Sequence, residues 1–308
     1  MVDLSVVSAS DHLKEKLLEE KFNIAILEAS MINGADLQRV DLPVLLWPEG
    51  GCDTDELEGL IKVRKYQRIS SMIGGVLEQY ARSSAGKNGL DSDRAYITAV
   101  WSPAGGVGKT SIALAHSLKK ATEGKQAFYL NLEQFSSTSA FFPESGRSIS
   151  SIFEMLEAGE GDLKMLVQSI RQRDRRTDLS FFCCPENFDD MNILTTDNVA
   201  ALINACCEAA DELIIDMSCS CDERNRKILE FADRILLVTD SSATTQTKLT
   251  QFASQHNVFQ CIKEKTTLVA NKGATAASEL FETAICVPFV QSNDAGTVYR
   301  TLSGFDFN

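Results

Sequence analysis

Apolar and polar positions follow two rhythms from residue 94 onward. Short, nearly unbroken apolar runs alternate with segments in which apolar residues recur every three or four positions. Unbroken runs are typical of strands buried on both faces of a parallel sheet, and the second spacing is typical of amphipathic helices. This alternation predicts an α/β fold, with a mostly parallel sheet and helices on both faces. The predicted strands are residues 96–101, 127–132, 179–183, 212–216, 234–239, 266–270 and 284–287, and the predicted helices are residues 110–121, 148–158, 163–171, 198–209, 223–231 and 244–255.

Residues 1–82 carry a second, shorter alternation of the same kind. Strands are predicted at residues 4–7, 23–27, 43–47 and 60–63, with helices at residues 11–20 and 68–81. The polar segment 83–93 contains serines and glycines, which predict a flexible linker. Two domains are therefore expected, at residues 1–82 and 94–308.

Composition excludes several classes of function. The 308 residues are 44% hydrophobic, enough for a substantial core, and carry a formal net charge of -13 with a pI of about 4.8. Such an acidic chain repels nucleic-acid phosphate and anionic lipid, so neither is expected as a partner. No uninterrupted apolar run approaches the ~18 residues of a membrane span, and no secretory leader is recognised. We expect a soluble, cytoplasmic protein.

Nine cysteines raise the question of a metal or redox site. No C-x-x-C spacing occurs, and the three histidines do not cluster with the cysteines along the chain. Reduced thiols that act as small core residues explain most of the set. A metal or redox role stays open for Cys219 and Cys221, because they follow a predicted strand that ends in a carboxylate.

The segment from Ser102 to Thr110 reads S-P-A-G-G-V-G-K-T, between a predicted strand and a predicted helix. In this context a glycine-rich loop turns backbone N–H groups toward phosphate oxygens, while Lys109 reaches the β/γ-phosphates and the Thr110 hydroxyl binds Mg²⁺. A tight turn alone would need neither so many glycines nor the Lys-Thr pair. The residues expected to contact nucleotide here are Ala104, Gly105, Gly106, Val107, Gly108, Lys109, Thr110 and Ser111.

A second signal is the apolar run Leu213-Ile214-Ile215, which ends in Asp216. Ligands of open α/β sheets gather at the carboxyl ends of the strands. Asp216 is therefore interpreted as a Walker B aspartate that holds the hydration shell of the Mg²⁺ bound by Thr110.

The phosphate loop, taken with residues 128–134, resembles the deviant Walker A group of P-loop ATPases, the MinD/ParA superfamily. Its signature is K-G-G-x-G-K-T, and its next strand ends in an Asp-x-Asp pair. The resemblance runs from residue 93 to about residue 300 and implies binding of ATP and Mg²⁺. When the sequence is matched to the family motif, Asn131 and Glu133 take the positions of the Asp-x-Asp pair, and Glu133 would orient the attacking water. The resemblance also implies that Asn271 hydrogen-bonds adenine and that Pro288 lines the base pocket.

Ala104 departs from this signature, because family members carry a lysine there that reaches the phosphates of a dimer partner. A transition-state cation of this kind is worth roughly 10³ to 10⁵ in rate where an arginine finger supplies it. We therefore expect ATP binding with slow turnover, with Lys109 and Glu133 as the catalytic candidates. Arg224 and Arg226 are candidates for a compensating cation.

The N-terminal domain resembles a receiver domain that is short and lacks the opening strand. Glu28 stands at the phosphoacceptor position, and Lys65 follows the last strand. The resemblance implies docking or dimerisation rather than phosphorelay. An α/β cap without receiver ancestry is the alternative.

A receiver-like module before a MinD/ParA-type ATPase resembles the TadZ/CpaE family of Flp (Tad) pilus assembly. This resemblance implies an ATP-dependent homodimer that recruits pilus or secretion proteins to a cell pole or secretion site. No basic amphipathic helix follows Val290, so no direct membrane anchor is expected. Two alternatives stay open: a non-hydrolysing scaffold with bound ATP, and an iron–sulfur carrier of the nitrogenase-reductase type that uses Cys219 or Cys221.

Overall fold

The computed structural model describes residues 5–32, 36–47, 60–66, 72, 73, 76, 95–143, 146–159, 161–275, 281 and 283–307. The chain divides into two compact units, residues 1–87 with 160–169 and residues 88–159 with 170–308. No helix in these described stretches is long and apolar enough to span a membrane.

The first unit contains a three-stranded parallel sheet in the order β1-β2-β3. Leu13 and Leu17 of the first helix pack with Leu27 and Val40 of the sheet in a small apolar cluster. Its N-terminal elements are α1 (Ser10–Glu19), β1 (Phe22–Glu28), α2 (Ala29–Ile32), β2 (Val40–Trp47) and β3 (Ile61–Arg64).

Glu28 ends β1, and Lys65 follows β3 on the far side of β2. The Lys65 Nζ lies 2.8 Å from the Glu28 Oε1. This hydrogen bond and the charge of Glu28 raise the pKa of Lys65. The two residues that carry the receiver resemblance are thus in contact, although the receiver-like assignment itself stays a prediction.

The larger unit contains an eight-stranded sheet in the order β11-β10-β9-β4-β8-β5-β7-β6. Every neighbouring pair is parallel except β6 and β7 at one edge. The strands are β4 (Tyr96–Trp101), β5 (Ala127–Leu132), β6 (Gln172–Arg173), β7 (Ser180–Phe181), β8 (Glu212–Met217), β9 (Arg234–Thr239), β10 (Thr266–Ala270) and β11 (Thr283–Cys286).

Helices connect these strands. They are α3 (Lys109–Thr122), α4 (Ser150–Ala158), α5 (Leu163–Ile170), α6 (Thr196–Cys207), α7 (Glu223–Phe231), α8 (Ala243–Ala253), α9 (His256–Ile262) and α10 (Ala295–Leu302). By its contacts, most of α5 belongs to the first unit.

The central strands are buried on both faces. Val100, Tyr129 and Ile214 belong to one apolar cluster with residues of α3 and α10. Their neighbours along each strand point to the opposite face and are also buried, as Phe128 and Leu213 are. The mostly parallel α/β fold predicted from the continuous apolar runs is confirmed.

The register brings three strand ends together. Asp216 of β8 lies opposite Val100 of β4 on one side and Asn131 of β5 on the other. The loop that follows β4 therefore begins beside the carboxylate that ends the apolar run of β8.

Several local predictions differ from the structure. All the strands predicted after residue 94 are present, but the two-residue β6 and the helices α9 and α10 were missed. The strand predicted at residues 4–7 is wrong for residues 5–7, which have no regular secondary structure; Val6 is 86% exposed, and none of the described strands pairs with it. Apolar β-branched residues favour a strand, but strand formation also needs a pairing partner. Of the helix predicted at residues 68–81 only Met72, Ile73 and Val76 are described, and they are helical; the linker 83–93 lies outside the described residues.

Candidate functional site

The loop between β4 and α3 has the backbone of an anion-binding turn. Gly106 and Gly108 have φ values of 74° and 96°, which side chains other than glycine rarely adopt. Gly108 also caps the N-terminus of α3. A Cβ at Gly108 would lie 2.3 Å from the Asn271 Nδ2, so this position requires glycine for space as well.

Lys109 is the first residue of α3, and its side chain is only 6% exposed. Its Nζ lies 3.5 Å from the Glu133 Oε1 and donates a hydrogen bond of 3.3 Å to the Cys219 Sγ. Burial opposes the charge, but Cys219, Glu133 and Asp216 outweigh it and raise the pKa of Lys109. The loop therefore holds a buried ammonium group that stays charged.

Asp216 is completely buried at the end of β8. Its Oδ2 accepts hydrogen bonds from the Tyr129 hydroxyl at 2.9 Å and from the Asn131 Nδ2 at 3.3 Å. Its Oδ1 has no hydrogen-bond partner among the described residues. Burial and the nearby Glu133 carboxylate raise the pKa of Asp216 to about 7, against the opposing effects of hydrogen bonds and the Lys109 charge.

Glu133 is directed toward the loop by the strand that carries it. Its backbone N–H donates to the Asn131 Oδ1 at 3.0 Å, and its Oε2 accepts a hydrogen bond of 3.4 Å from the Thr110 hydroxyl. Glu133 thus lies against both Lys109 and Thr110, and its role toward the attacking water stays a prediction.

The donor set fits a hydrated Mg²⁺ ion. Magnesium in phosphate sites prefers hydroxyl and carboxylate oxygens, one or two from the protein, with water and phosphate oxygens completing the shell. Thr110 offers a hydroxyl, and the unpartnered Oδ1 of Asp216 is a buried carboxylate oxygen that gains from a nearby cation.

A cavity of about 160 Å³ opens beside the phosphate loop. The predicted residues Ser111, Asn271 and Pro288 all line it. Phe289 also lines it and belongs to the segment 286–289 that the resemblance places at the base pocket. Lys272, Val290, Val298 and Leu302 line it too, and the sequence interpretation assigned none of these four to the site. Phe289 and Val290 follow Pro288 directly, which is a usable signal, whereas Val298 and Leu302 come from the unpredicted helix α10.

Asn271 contacts the loop itself. Its Nδ2 donates a hydrogen bond of 2.8 Å to the Val107 carbonyl, and its own backbone N–H donates to the Thr239 carbonyl at 2.8 Å. The neighbouring Lys272 donates from Nζ to the Gly106 carbonyl at 2.6 Å. A surface lysine after a strand gives no sequence signal for such a contact, because the contact depends on the strand order.

Ala104 is buried in the apolar cluster beneath the loop and is 3% exposed. Its backbone N–H donates to the Ser102 Oγ at 3.1 Å. Of the two candidate compensating cations, Arg224 donates to the Met191 carbonyl at 2.6 Å, and Arg226 is exposed on α7. The structure brings neither of them into contact with the described residues of the loop.

The cysteines after β8 differ in their surroundings. The Cys219 Sγ lies 3.8 Å from the Cβ position of Gly105 and contacts Lys109, whereas Cys221 is exposed. Trp101 and Asn225 hold this segment through the Ser220 carbonyl, at 3.0 Å and 2.9 Å. Within the described parts of the chain, no group of three or more His, Cys, Asp or Glu side chains is arranged to hold a metal ion.

Comparison with solved structures identifies the fold of about two thirds of the chain. A ParA family ATPase from Chlorobium tepidum matches 68% of this chain and 91% of its own, with a TM-score of 0.56 and 16% sequence identity. A plasmid partition protein from Borrelia burgdorferi matches 69% and 97%, with a TM-score of 0.51 and 12% identity. Cobyrinic acid a,c-diamide synthase from Mycobacterium smegmatis, with bound ADP and magnesium, matches 68% and 93%, with a TM-score of 0.50 and 17% identity.

No protein-family model matches the sequence, and no curated protein matches it either. At these identities the structural likeness establishes a common fold and not a common activity. The chain therefore has the fold of ParA-type P-loop ATPases, as the phosphate loop and strand pattern predict.

Proposed function

We propose that this chain binds ATP with Mg²⁺ and acts as a nucleotide-dependent switch of the MinD/ParA type. One observation carries the proposal. The buried ammonium of Lys109, the hydroxyl of Thr110 and the unpartnered Oδ1 of Asp216 belong to one cluster at the phosphate loop. A nucleoside triphosphate with its magnesium would complement all three groups at once.

Adenine is the base that the cavity favours. The described residues that line it include no Asp or Glu. Guanine presents N–H donors on its pairing edge, and a carboxylate is the usual acceptor for them in proteins. The Asn271 amide offers both a donor and an acceptor, which suits adenine.

Hydrolysis is proposed to be slow. Ala104 provides no cation at the position where the resemblance places a lysine. Glu133 lies close enough to the loop to orient water, but without nucleotide its carboxylate is engaged by Lys109 and Thr110. ATP binding must first draw Lys109 away from Glu133.

The wider role is a proposal that follows from the TadZ/CpaE resemblance. A homodimer stabilised by ATP and Mg²⁺ would present a surface that recruits pilus or secretion proteins to one site in the cytoplasm, such as a cell pole. Two features support it. Glu28 and Lys65 are in contact, as the receiver resemblance suggests. The glycine-rich loop carries Ala104 at the position where the family signature has its first lysine.

The test is the ATP affinity of Lys109→Ala, measured by titration calorimetry in the presence of Mg²⁺. Hydrogen bonds to charged groups contribute about 1.5–3 kcal/mol, so we expect affinity to fall about 100-fold. Lys119→Ala is the matched control, because Lys119 is on the same helix and pairs with Glu123 instead. Equal ATP affinity in wild type and Lys109→Ala would contradict the proposal.

Phosphate release in the same preparations separates two versions of the proposal. A slow ATPase releases phosphate faster than ATP is hydrolysed in the same buffer without protein. A non-hydrolysing scaffold keeps its ATP intact for hours.

A further inference from the structure

We propose that Lys272 is a positioning residue that holds the phosphate loop in its anion-binding form. This inference rests on the proposed binding of ATP. Lys272 Nζ donates a hydrogen bond of 2.6 Å to the Gly106 carbonyl and lies 3.5 Å from the Asp240 carboxylate. The residue follows β10 and is 166 positions away from the glycine that it contacts.

The planarity of the peptide bond gives this contact a consequence. In a trans peptide the C=O of one residue and the N–H of the next point in opposite directions. Lys272 draws the Gly106 carbonyl toward itself, so the Val107 N–H is turned away from Lys272. Asn271 donates to the Val107 carbonyl and in the same way orients the Gly108 N–H.

Together Asn271 and Lys272 form a clamp on two consecutive carbonyl groups of the loop. With both carbonyls held on the side of β10, the following two N–H groups face the opposite side. Backbone N–H groups that converge from such a turn, at the N-terminus of a helix, are the donors that bind phosphate. The clamp therefore orients these donors before nucleotide arrives.

The backbone of Lys272 supports a role beyond surface solvation. Its φ is 60°, and among the described residues only Asp178 shares a positive φ without being glycine. A residue with a side chain is disfavoured in this left-handed region. Hydrogen bonds of the adjacent Asn271 and Gly273 N–H groups, to the Thr239 and Val287 carbonyls at 2.8 Å and 2.9 Å, hold the turn in place.

Asp240 positions the Lys272 ammonium group beside the Gly106 carbonyl. Its carboxylate accepts hydrogen bonds from the Ser242 backbone N–H at 3.1 Å and from the Ser242 hydroxyl at 2.6 Å. The Asp240 side chain is 16% exposed, while that of Lys272 is 43% exposed. A fixed carboxylate thus positions a partly exposed lysine against the Gly106 carbonyl.

The experiment measures the affinities of ATP, ADP and adenosine for wild type, Lys272→Met and Lys272→Arg, by competition with a fluorescent ATP analogue and Mg²⁺. Lys272→Met keeps the apolar stem and removes the ammonium. We expect it to weaken ATP and ADP about 10-fold, the equivalent of about 1.4 kcal/mol, and to leave adenosine nearly unchanged. Lys272→Arg retains a donor for the carbonyl and should recover most of the affinity.

Lys272→Gly separates positioning from stability. Glycine adopts a φ of 60° without strain, so this variant should be at least as stable as wild type in urea unfolding while it still binds ATP about 10-fold more weakly. Lys248→Met, at an exposed position of α8, is the control and should bind ATP like wild type.

Wild-type ATP affinity in Lys272→Met and Lys272→Gly would overturn the inference. So would an equal loss for adenosine and ATP, because it would assign Lys272 to the nucleoside rather than to the loop. Failure of the proposed function looks different, since wild type itself would not bind ATP or Lys109→Ala would bind it normally.

Discussion

At the scale of single residues, the charges of the candidate site neutralise one another while no nucleotide is bound. Lys109 faces Glu133, and the Asp216 carboxylate has a pKa of about 7 because it is buried near a second carboxylate. Each of these groups would gain from a ligand of opposite charge. Groups with strongly shifted pKa values cluster at functional sites, which agrees with the proposed binding of ATP and Mg²⁺ here.

Gly108→Ala tests whether the loop and Asn271 must approach each other this closely. The new Cβ would lie 2.3 Å from the Asn271 Nδ2 in a backbone with a φ of 96°. We expect the loop to shift, the Asn271 hydrogen bond to Val107 to be lost, and ATP affinity to fall about 10-fold or more. Calorimetric titration with ATP and Mg²⁺ measures it.

Gly124→Ala is the matched control. Gly124 has a φ of 83°, but a Cβ there meets no atom within 4 Å. It should lose about 1 kcal/mol of stability from backbone strain and keep its ATP affinity. Identical affinities in the two variants would show that the close approach has no role in binding.

At the scale of elements, α3 joins the phosphate loop to the core. Its first residue is Lys109, and its apolar face lies in the same cluster as Val100, Ile214 and Leu302. The same helix buries His116, which is 1% exposed and packs edge-on against Phe307. Burial, with a smaller contribution from Lys120 and Arg234, lowers the pKa of His116 to about 3.

This buried histidine predicts a loss of stability in acid. Below pH 6.5 the unfolded chain binds a proton at His116 that the folded chain does not bind until about pH 3. Stability therefore falls as pH decreases through this window, by up to about 1.4 kcal/mol per pH unit. His116→Leu removes this dependence together with an Nδ1 that has no hydrogen-bond partner.

Urea unfolding of wild type and His116→Leu at pH 7.5 and 5.5 measures the effect. We expect the difference in the free energy of unfolding between the two proteins to change by about 1.4 kcal/mol in favour of the variant at the lower pH. Because the pKa of Asp216 is raised, its contribution to stability increases as pH falls. This contribution is the same in both proteins and cancels in the comparison. Parallel pH curves would refute a neutral, buried His116.

At the scale of the whole molecule, the proposed switch predicts a nucleotide-dependent mass. Light scattering should give one chain of 33.8 kDa without nucleotide and twice that mass with ATP and Mg²⁺. Each copy carries a net charge of -13, so added salt should screen the repulsion and favour the dimer. Lys109→Ala should stay at the lower mass, and a wild-type mass that does not respond to nucleotide would contradict the switch.

The local sequence pattern was sufficient to predict much of the fold. Continuous apolar runs predicted the parallel strands, because a strand buried on both faces has no polar positions. The glycine-rich loop and the Asp216 carboxylate near the end of β8 were predicted as a nucleotide site for a similar reason: short motifs carry their own backbone chemistry. The strand predicted at residues 4–7 is wrong over its described part, residues 5–7, because strand formation needs a pairing partner, which local sequence does not specify.

The sequence by itself therefore determined the fold class and located the glycine-rich loop between β4 and α3. Only the tertiary structure decided which distant groups act on that loop. Lys272 and Asn271 contact residues 166 and 164 positions away, and Cys219 contacts Lys109 across 110 positions. These contacts depend on the order in which β10, β9, β4 and β8 lie side by side, and strand order is set by the packing of the whole sheet rather than by any local pattern.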